Sequence, residues 1–444
     1  MSSRPRVPGG LVALVALFTA GYLAPYLLPT VVGRLSAGLG LTPAQAGLVG
    51  SVLLLGSSSA GFTLAARGER IGPRRAARAG LLAMTVGYGS AAATGIVPLV
   101  VAGAVLGGVG SGTATAVAAA GIAGRRDPHR ASTLGLLSVS ATAGALYLTL
   151  PHLAGGHAPP LLAIACAAAL VWPLTARLPG TNREPREPAP TGPLPHRRAG
   201  AVLAAGILLW SLSQNALWGV SGRIGLTQAG LSEVTVGAVF AAALGAGLAG
   251  VTAAGALGSR LGRAVPIGGG TVLIAGCVLL SSAADDLTRF ATGEILWNAL
   301  YPVVLSYLLG LAASLDPRGR WAVLVGAASS LGVACGPLTG SLLSEGAGYP
   351  GMGLTLCTLL LLVAIPMTAV ARHVSGRPLV PGSVRRRGGA AGAVLAGTAA
   401  ATPPTVPQMG AAEQEIAPIR VPVPAGRRRL ARSAFRLARP SDRG

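Results

Sequence analysis

The sequence predicts an all-α polytopic membrane protein with twelve transmembrane helices arranged as two six-helix pseudo-repeats. Three observations carry this prediction: a composition too apolar for a soluble chain, a succession of hydrophobic windows of membrane-crossing length, and short motifs that recur half-way along. Hydrophobic residues make up 51% of the 444 positions and charged residues 11%, against roughly 25% charged in an average soluble protein. Mean hydropathy is +0.62, and the 66 glycines are about twice the usual share of ~7%. So few charges cannot cover the surface of a soluble protein this long. The four cysteines, Cys166, Cys277, Cys335 and Cys357, lie in apolar runs and make no C-x-x-C pair. They read as small buried hydrophobes and not as a disulfide framework.

Spans need about 20 apolar residues each. Windows of that length fall at 10–32, 46–66, 79–97, 99–122, 132–151, 159–176, 199–221, 235–257, 265–283, 290–313, 322–343 and 351–371. The first could pass for a cleaved signal peptide, but apolar sequence continues through GYLAPYLLPTVV, too long for such a core. The Arg residues orient the spans. All 35 basic residues are Arg, and 32 fall on one side of a twelve-span layout. Arg34, Arg223 and Arg289 fall on the other. The excess marks the cytoplasmic side, with both termini there, in the cytoplasmic membrane. It also accounts for most of the net charge of +22 without nucleic acid as a partner.

The expected organisation is a short cytoplasmic arm (1–8), an N-terminal six-helix half (9–177), a Pro- and charge-rich linker (178–198), a C-terminal half (199–372) and a basic, largely disordered tail (373–444). The halves match at an offset of 189–190: Gly33-Arg34 with Gly222-Arg223, GLTPAQAG at 40–47 with GLSEVTVG at 230–237, ERIGPRR at 69–75 with SRLGRA at 259–264, and DPHR at 127–130 with DPRGR at 316–320. Thr42 and Ser232 sit where a hydroxyl caps a helix N-terminus, with Pro43 in the first turn. A duplicated six-helix unit is a recurring transporter architecture.

The loop after span 2 resembles the G-x-x-x-D/E-R-x-G-R-R signature of the major facilitator superfamily. It supplies Glu69, Arg70, Gly72, Arg74 and Arg75, with Ala65 for the leading Gly and Pro73 before the paired Arg. The second copy supplies Gly255, Ser259, Arg260, Gly262 and Arg263, and GVACGPLTG at 332–340 is similar to the Gly-Pro-rich eleventh helix of many members. The resemblance covers residues 9–372 and implies that fold, alternating access, and a cytoplasmic latch built on these loops. Gly72 permits the tight turn. Arg70 or Arg74 can pair with Asp127, and Arg260 or Arg263 with Asp316; the alternative is simple anchoring of helix ends.

No Ser-His-Asp set, H-E-x-x-H, phosphate loop or acidic metal cluster occurs, so neither enzyme chemistry, a cofactor nor a metal is expected. Of the 13 acids, only Glu294 falls inside a span, which makes it a functional candidate. Glu294, Trp297, Asn298 and Tyr301 share one face of span 10, and Ser211, Gln214, Asn215 and Trp218 repeat the spacing in span 7. Span 1 adds Thr19, Tyr22 and Tyr26, and span 4 offers Ser111 and Thr115 beside Gly103, Gly107, Gly108 and Gly112. The resemblance implies that spans 1, 4, 7 and 10 line the central cavity. Interhelical hydrogen bonding is the alternative for spans 7 and 10, and close glycine packing for span 4. Glu294 is either a proton carrier, a ligand for a cationic solute, or an acid hydrated at the outer interface.

Ala104 stands where drug/proton antiporters of the family often carry Arg, and SVSATAGALYLTL lacks their Gly-Pro motif. His152 and His157 read as loop residues. The expectation is a monomeric secondary transporter of a small neutral, cationic or amphipathic solute, with export as the family-level first choice. Uptake by symport or facilitation, and a non-transporting membrane sensor or scaffold, are the alternatives. In the tail, GRRRLARSAFRLARP at 426–440 gathers Leu430, Ala434, Phe435, Leu437 and Ala438 on one helical side and Arg428, Arg429, Arg432, Arg436 and Arg439 on the other. Such a helix suits anionic lipid, at roughly 1 kcal/mol per Arg near the surface. A peptide of this segment is expected to gain helical circular dichroism on anionic vesicles and not on neutral ones; a coil on both would remove the lipid-binding reading.

Overall fold

The computed structural model describes residues 9–153, 155–178, 193–258, 261–316 and 318–375; at Phe62, residues 64–71 and Ser375 it describes the helical backbone alone. No strand occurs among the described residues. The helices are α1 (Gly9–Tyr26), α2 (Leu28–Leu39), α3 (Pro43–Ile71), α4 (Pro73–Ala93), α5 (Val97–Ala123), α6 (Pro128–Thr149), α7 (Ala158–Val171), α8 (Arg197–Arg223), α9 (Glu233–Leu257), α10 (Ala264–Ser282), α11 (Leu287–Leu315) and α12 (Arg320–Ser375). By length and composition eight of the described helices can cross a membrane, or nine when α1 and α2 count as one bent span. Helix covers most of each predicted window; the window at 79–97 runs past the end of α4 at Ala93. The windows at 322–343 and 351–371 both lie in α12, which breaks at Gly348 (φ 68°, ψ 173°). The tail segment 426–440 lies outside the described residues.

The first window is bent. α1 and α2 meet at 49°, between Pro25 inside α1 and Pro29 in the first turn of α2. Pro29 has no N–H, so the Pro25 carbonyl loses its helical donor. The reading of Thr42 and Ser232 as caps matches the structure. The Thr42 hydroxyl accepts from the Gln45 amide (3.2 Å) and the Gln45 side chain accepts from the Thr42 amide (3.0 Å), a reciprocal capping box. Ser232 accepts from the Thr235 amide at 3.1 Å. The repeat is visible in the backbone: Gly40 and Gly230 take φ of 63° and 64°, and Gly72 and Gly262 take 77° and 67°. Each pair is 190 positions apart, and each closes a turn that a side chain would strain.

Glycine sets the helix spacing. α5 is wedged between α3 and α4. A Cβ at Gly108 would meet the Leu53 carbonyl, one at Gly112 the Ser57 carbonyl, and one at Gly107 the Tyr88 ring. On α12, Gly332, Gly336 and Gly340 recur every four residues against α8, facing Leu208, Asn215 and Ala216. This is the small-residue packing by which helices associate in lipid, where burial of apolar surface gives no drive. The outward faces are apolar, as at Leu170, Leu362 and Ile365, all exposed.

The N-terminal helices meet the C-terminal ones through α3 with α12, α6 with α9, and α2 with α8. We call upper the end that holds the C-terminus of α2 and the N-termini of α3, α9 and α11, and lower the opposite end. Gly112→Val is expected to destabilise the protein by about 1–3 kcal/mol through overpacking against α3. Gly89→Ala, whose Cβ would meet nothing within 4 Å, should stay within about 0.5 kcal/mol. Melting of both variants in detergent checks the contrast; equal behaviour would remove the glycine wedge as a constraint.

Candidate solute site and the two ends of the bundle

The centre of the molecule is a closed aromatic and amide cluster on α8 and α11. Trp210 stacks on Tyr301 with ring centroids 5.1 Å apart, Tyr301 meets Trp297 at 6.1 Å, and Trp297 meets Trp218 at 5.6 Å. The Trp297 indole N–H donates to the Gln214 side-chain carbonyl. Trp218 donates to the Pro25 carbonyl at 3.1 Å, the acceptor that Pro29 leaves free. Tyr147 donates to the Tyr26 carbonyl at 2.6 Å, and Tyr22 packs on Phe18 at 4.5 Å. Asn215 and Asn298 turn their amide donors back onto their own helices, to the Ser211 and Glu294 carbonyls. The side-chain nitrogens of Gln214 and Trp210 are buried and have no partner among the described residues.

Four predicted cavity residues sit elsewhere. Ser111 hydrogen-bonds the Tyr88 hydroxyl at 3.0 Å, and Thr115 bonds back to the Ser111 and Gly112 carbonyls. Both belong to the packing of α5, so close glycine packing describes that helix. Ser211 pairs with Ser329 at 2.8 Å, between α8 and α12. Glu294 has no exposed surface, which overturns its reading as an acid hydrated at an interface. One carboxylate oxygen accepts from Ser221 (2.7 Å) and Ser281 (2.6 Å). The other has no partner among the described residues. Glu294 is therefore sealed among α8, α10 and α11.

The lower end carries the basic loops, and among the described residues neither Arg74 with Asp127 nor Arg263 with Asp316 forms an ion pair there. Arg74 donates to the carbonyls of Ala176 (2.8 Å) and Leu178 (2.9 Å). Asp127 caps α6 by accepting from the Arg130 amide at 2.9 Å. Arg263 donates to Ser314 at 2.6 Å, and burial lowers its pKa. Asp316 pairs with Arg320 at 2.7 Å. Burial would raise the Asp316 carboxyl, but hydrogen bonds from Arg320 and the Arg318 amide hold it below its ordinary value. Each of these groups finds a nearer local partner, and none of these bonds joins the N-terminal helices to the C-terminal ones. Arg75 is exposed. The side chains of Glu69 and Arg70, and Arg260, lie outside the described residues. An open apolar groove runs between α1 and α6, lined by Leu11, Val12, Val15, Leu134, Leu137 and Ser138.

The upper end holds the groups that sequence reasoning passed over. Arg34 and Arg223 counted as far-side loop charges, yet they are 7% and 8% exposed. α2 runs on to Leu39, and one π-helical turn, Ile224–Gln228, extends α8, so both guanidinium groups fall inside the bundle. Arg34 donates to Glu233 of α9 (2.9 Å) and to the Leu150 carbonyl (2.8 Å). Glu345 of α12 accepts from the Ala44 amide of α3 at 3.1 Å. Ser51 of α3 accepts from the Leu338 amide at 3.0 Å. The repeated Gly-Arg pair was the available signal.

The family model of the Major Facilitator Superfamily matches residues 9–317. The chain belongs to the major facilitator superfamily. Solved structures agree in fold. The D-xylose-proton symporter matches at a TM-score of 0.63 and 14% identity, covering 81% of this chain and 96% of that one. The human organic anion transporter MFSD10 (TETRAN) matches at 0.59 and 17%, covering 82% and 100%. A bacterial homolog of the human lysosomal transporter Spinster, in an inward-facing and unoccupied conformation, matches at 0.58 and 16%, covering 84% and 96%. A search of curated proteins found no match. The chain is thus a multi-pass membrane protein with the all-helical fold of this superfamily, and a transporter by family. In this superfamily member the Gln214–Trp297 bond joins α8 to α11 within the central cluster. Gln214→Leu would leave a buried indole N–H unpaired, at about 1–3 kcal/mol. A double-mutant cycle with Trp297→Phe, read by melting in detergent, should give a coupling near ~1 kcal/mol; additive losses would show that the bond contributes nothing.

Proposed function

We propose that the protein exports a small organic solute across the cytoplasmic membrane by alternating access, with both termini cytoplasmic and the upper end facing outward. The observation that carries this reading is the asymmetry of the two ends. At the upper end hydrogen bonds join the N-terminal and C-terminal helices, and at the lower end the described partners of Arg74, Arg263, Asp127 and Asp316 lie within their own half. That is the arrangement of a carrier closed to the outside and parted toward the cytoplasm. The latch on Asp127 and Asp316 then belongs to the opposite state, in which the lower end comes together.

The solute site is the central cluster. The unpartnered nitrogens of Gln214 and Trp210 supply donors for a solute acceptor, and the rings of Trp297, Trp218 and Tyr301 supply apolar faces, with Tyr22, Tyr26, Asn215 and Asn298 around them. The apolar groove between α1 and α6 suits an amphipathic solute entering from the lower end. Both buried arginines stand at the upper end, outside this cluster, so a neutral or cationic solute is favoured over a polyanion. Glu294 is the proton-coupling group. It is buried with an unsatisfied oxygen and no cation among its hydrogen-bond partners, and an ion in that setting is expensive unless neutralised.

Transport by purified protein in vesicles, with and without an imposed proton gradient, tests the reading. The parent is expected to accumulate solute only with the gradient. Glu294→Gln should lose gradient-driven accumulation and retain solute exchange. Full accumulation by the variant would exclude the proton role, and absence of any solute movement across a broad screen would favour a sensor or scaffold. Accumulation only in the inward direction would replace export with uptake.

A further inference from the structure

The two buried arginines are repeat equivalents, but their ion pairing differs. A carboxylate stands at the upper N-terminus of the second helix of each repeat. In the C-terminal repeat this is Glu233, in the first turn of α9. In the N-terminal repeat the matching position is Pro43, and the carboxylate comes from outside the repeat: Glu345 of α12, which accepts from the Ala44 amide at 3.1 Å. A carboxylate is favoured at either place by the unsatisfied amides and dipole of the helix end. Arg34 pairs with the first carboxylate across the two halves at 2.9 Å. Arg223 does not pair with the second. One terminal nitrogen donates to Ser341 at 3.0 Å, and its other two guanidinium nitrogens are buried without a partner among the described residues.

Ser341 and Glu345 are one turn apart on the same face of α12. The Arg223 guanidinium is therefore anchored one turn from an exposed carboxylate of its own half. That carboxylate is engaged elsewhere, on the other half. A buried guanidinium with two idle donors is unfavourable, so the closed upper end holds an unsatisfied group that a short side-chain movement could satisfy.

We propose that Glu345 exchanges partners as the upper end opens: it leaves the Ala44 amide of α3 and pairs with Arg223. The exchange rests on the alternating-access reading above. Closing makes the cross-half Arg34–Glu233 pair and seats Glu345 on α3. Opening breaks both, and the new Glu345–Arg223 pair, formed within one half, offsets part of the loss. Arg34 and Arg223 thus stabilise opposite states although they descend from one repeated position.

The test reads opening of the upper end and not transport. Spin labels at cysteines replacing Ala37 and Ala283, both exposed at that end, go into a background without the four native cysteines. Pulsed electron-electron distance measurements in lipid nanodiscs then give the fractions of short (closed) and long (open) separations. Glu345→Gln keeps an amide oxygen for Ala44 but loses the charge. It should lower the long-distance fraction at least threefold. Arg223→Gln should do the same, the double variant should go no lower, and Arg223→Lys should restore most of the fraction. Glu233→Gln should raise it. An unchanged or larger open fraction in Glu345→Gln, or additive effects in the double variant, would overturn the exchange alone. A single short distance in every variant, Glu233→Gln included, would overturn the alternating-access reading with it.

Discussion

Backbone-to-backbone contact through glycine is the constraint on which the other features rest. In lipid a leucine gains nothing by turning inward, and helices associate by approaching closely enough for dispersion and weak polar contacts to add up. α5 approaches α3 and α4 through Gly107, Gly108 and Gly112, and α12 approaches α8 through Gly332, Gly336 and Gly340. Because α12 also lies against α3, the second of these contacts fixes how far Ser51, Ala44 and their partners stand from one another. Several of the largest buried side chains gather at the centre, between α8 and α11. There three of the five tryptophans of the chain meet around Tyr301.

The proline bend in the first span shows how local backbone chemistry reaches the site. Pro29 removes a donor, the Pro25 carbonyl becomes available, and Trp218 of α8 takes it. A buried carbonyl without a partner would be unfavourable, so the bend and the tryptophan depend on each other. The contact also crosses between the N-terminal and C-terminal helices. It ties the aromatic cluster to α1. A rearrangement at the upper end would therefore disturb the indole that borders the proposed solute site.

Much of the architecture was legible in the sequence because the signals were local. Thr42 and Gln45, or Gly72 and Gly262, dictate caps and turns without help from distant residues. The side-chain roles were less legible. A polar stripe on one face of α5 does not reveal whether Tyr88 or an open cavity lies opposite Ser111, and the spacing of Ser211 is the same whether it meets Ser329 or a solute. Arg34 and Arg223 looked like loop charges because helix ends are the least certain feature of a hydrophobic window. A few extra helical residues at each carried the guanidinium groups inside. Glu294 was rightly singled out as costly to bury, but the serines that hold it come from α8 and α10, 73 and 13 positions away, and nothing in the face pattern of its own helix points to them.

The bonding at one end has a mechanical consequence. If the halves move as stiff bodies, the bonded seam at the upper end is a fulcrum and each long helix is a lever arm. α8 has 27 residues, a length of about 40 Å at ~1.5 Å per residue. A tilt of only ~10° about the seam would then displace its far end by roughly 7 Å, more than the breadth of a methyl-bearing side chain. Angstrom-scale adjustments among Arg34, Glu233 and Glu345 are thereby amplified along the arm. Under that condition the spacing of the helices at the lower end would be governed by groups that never touch it.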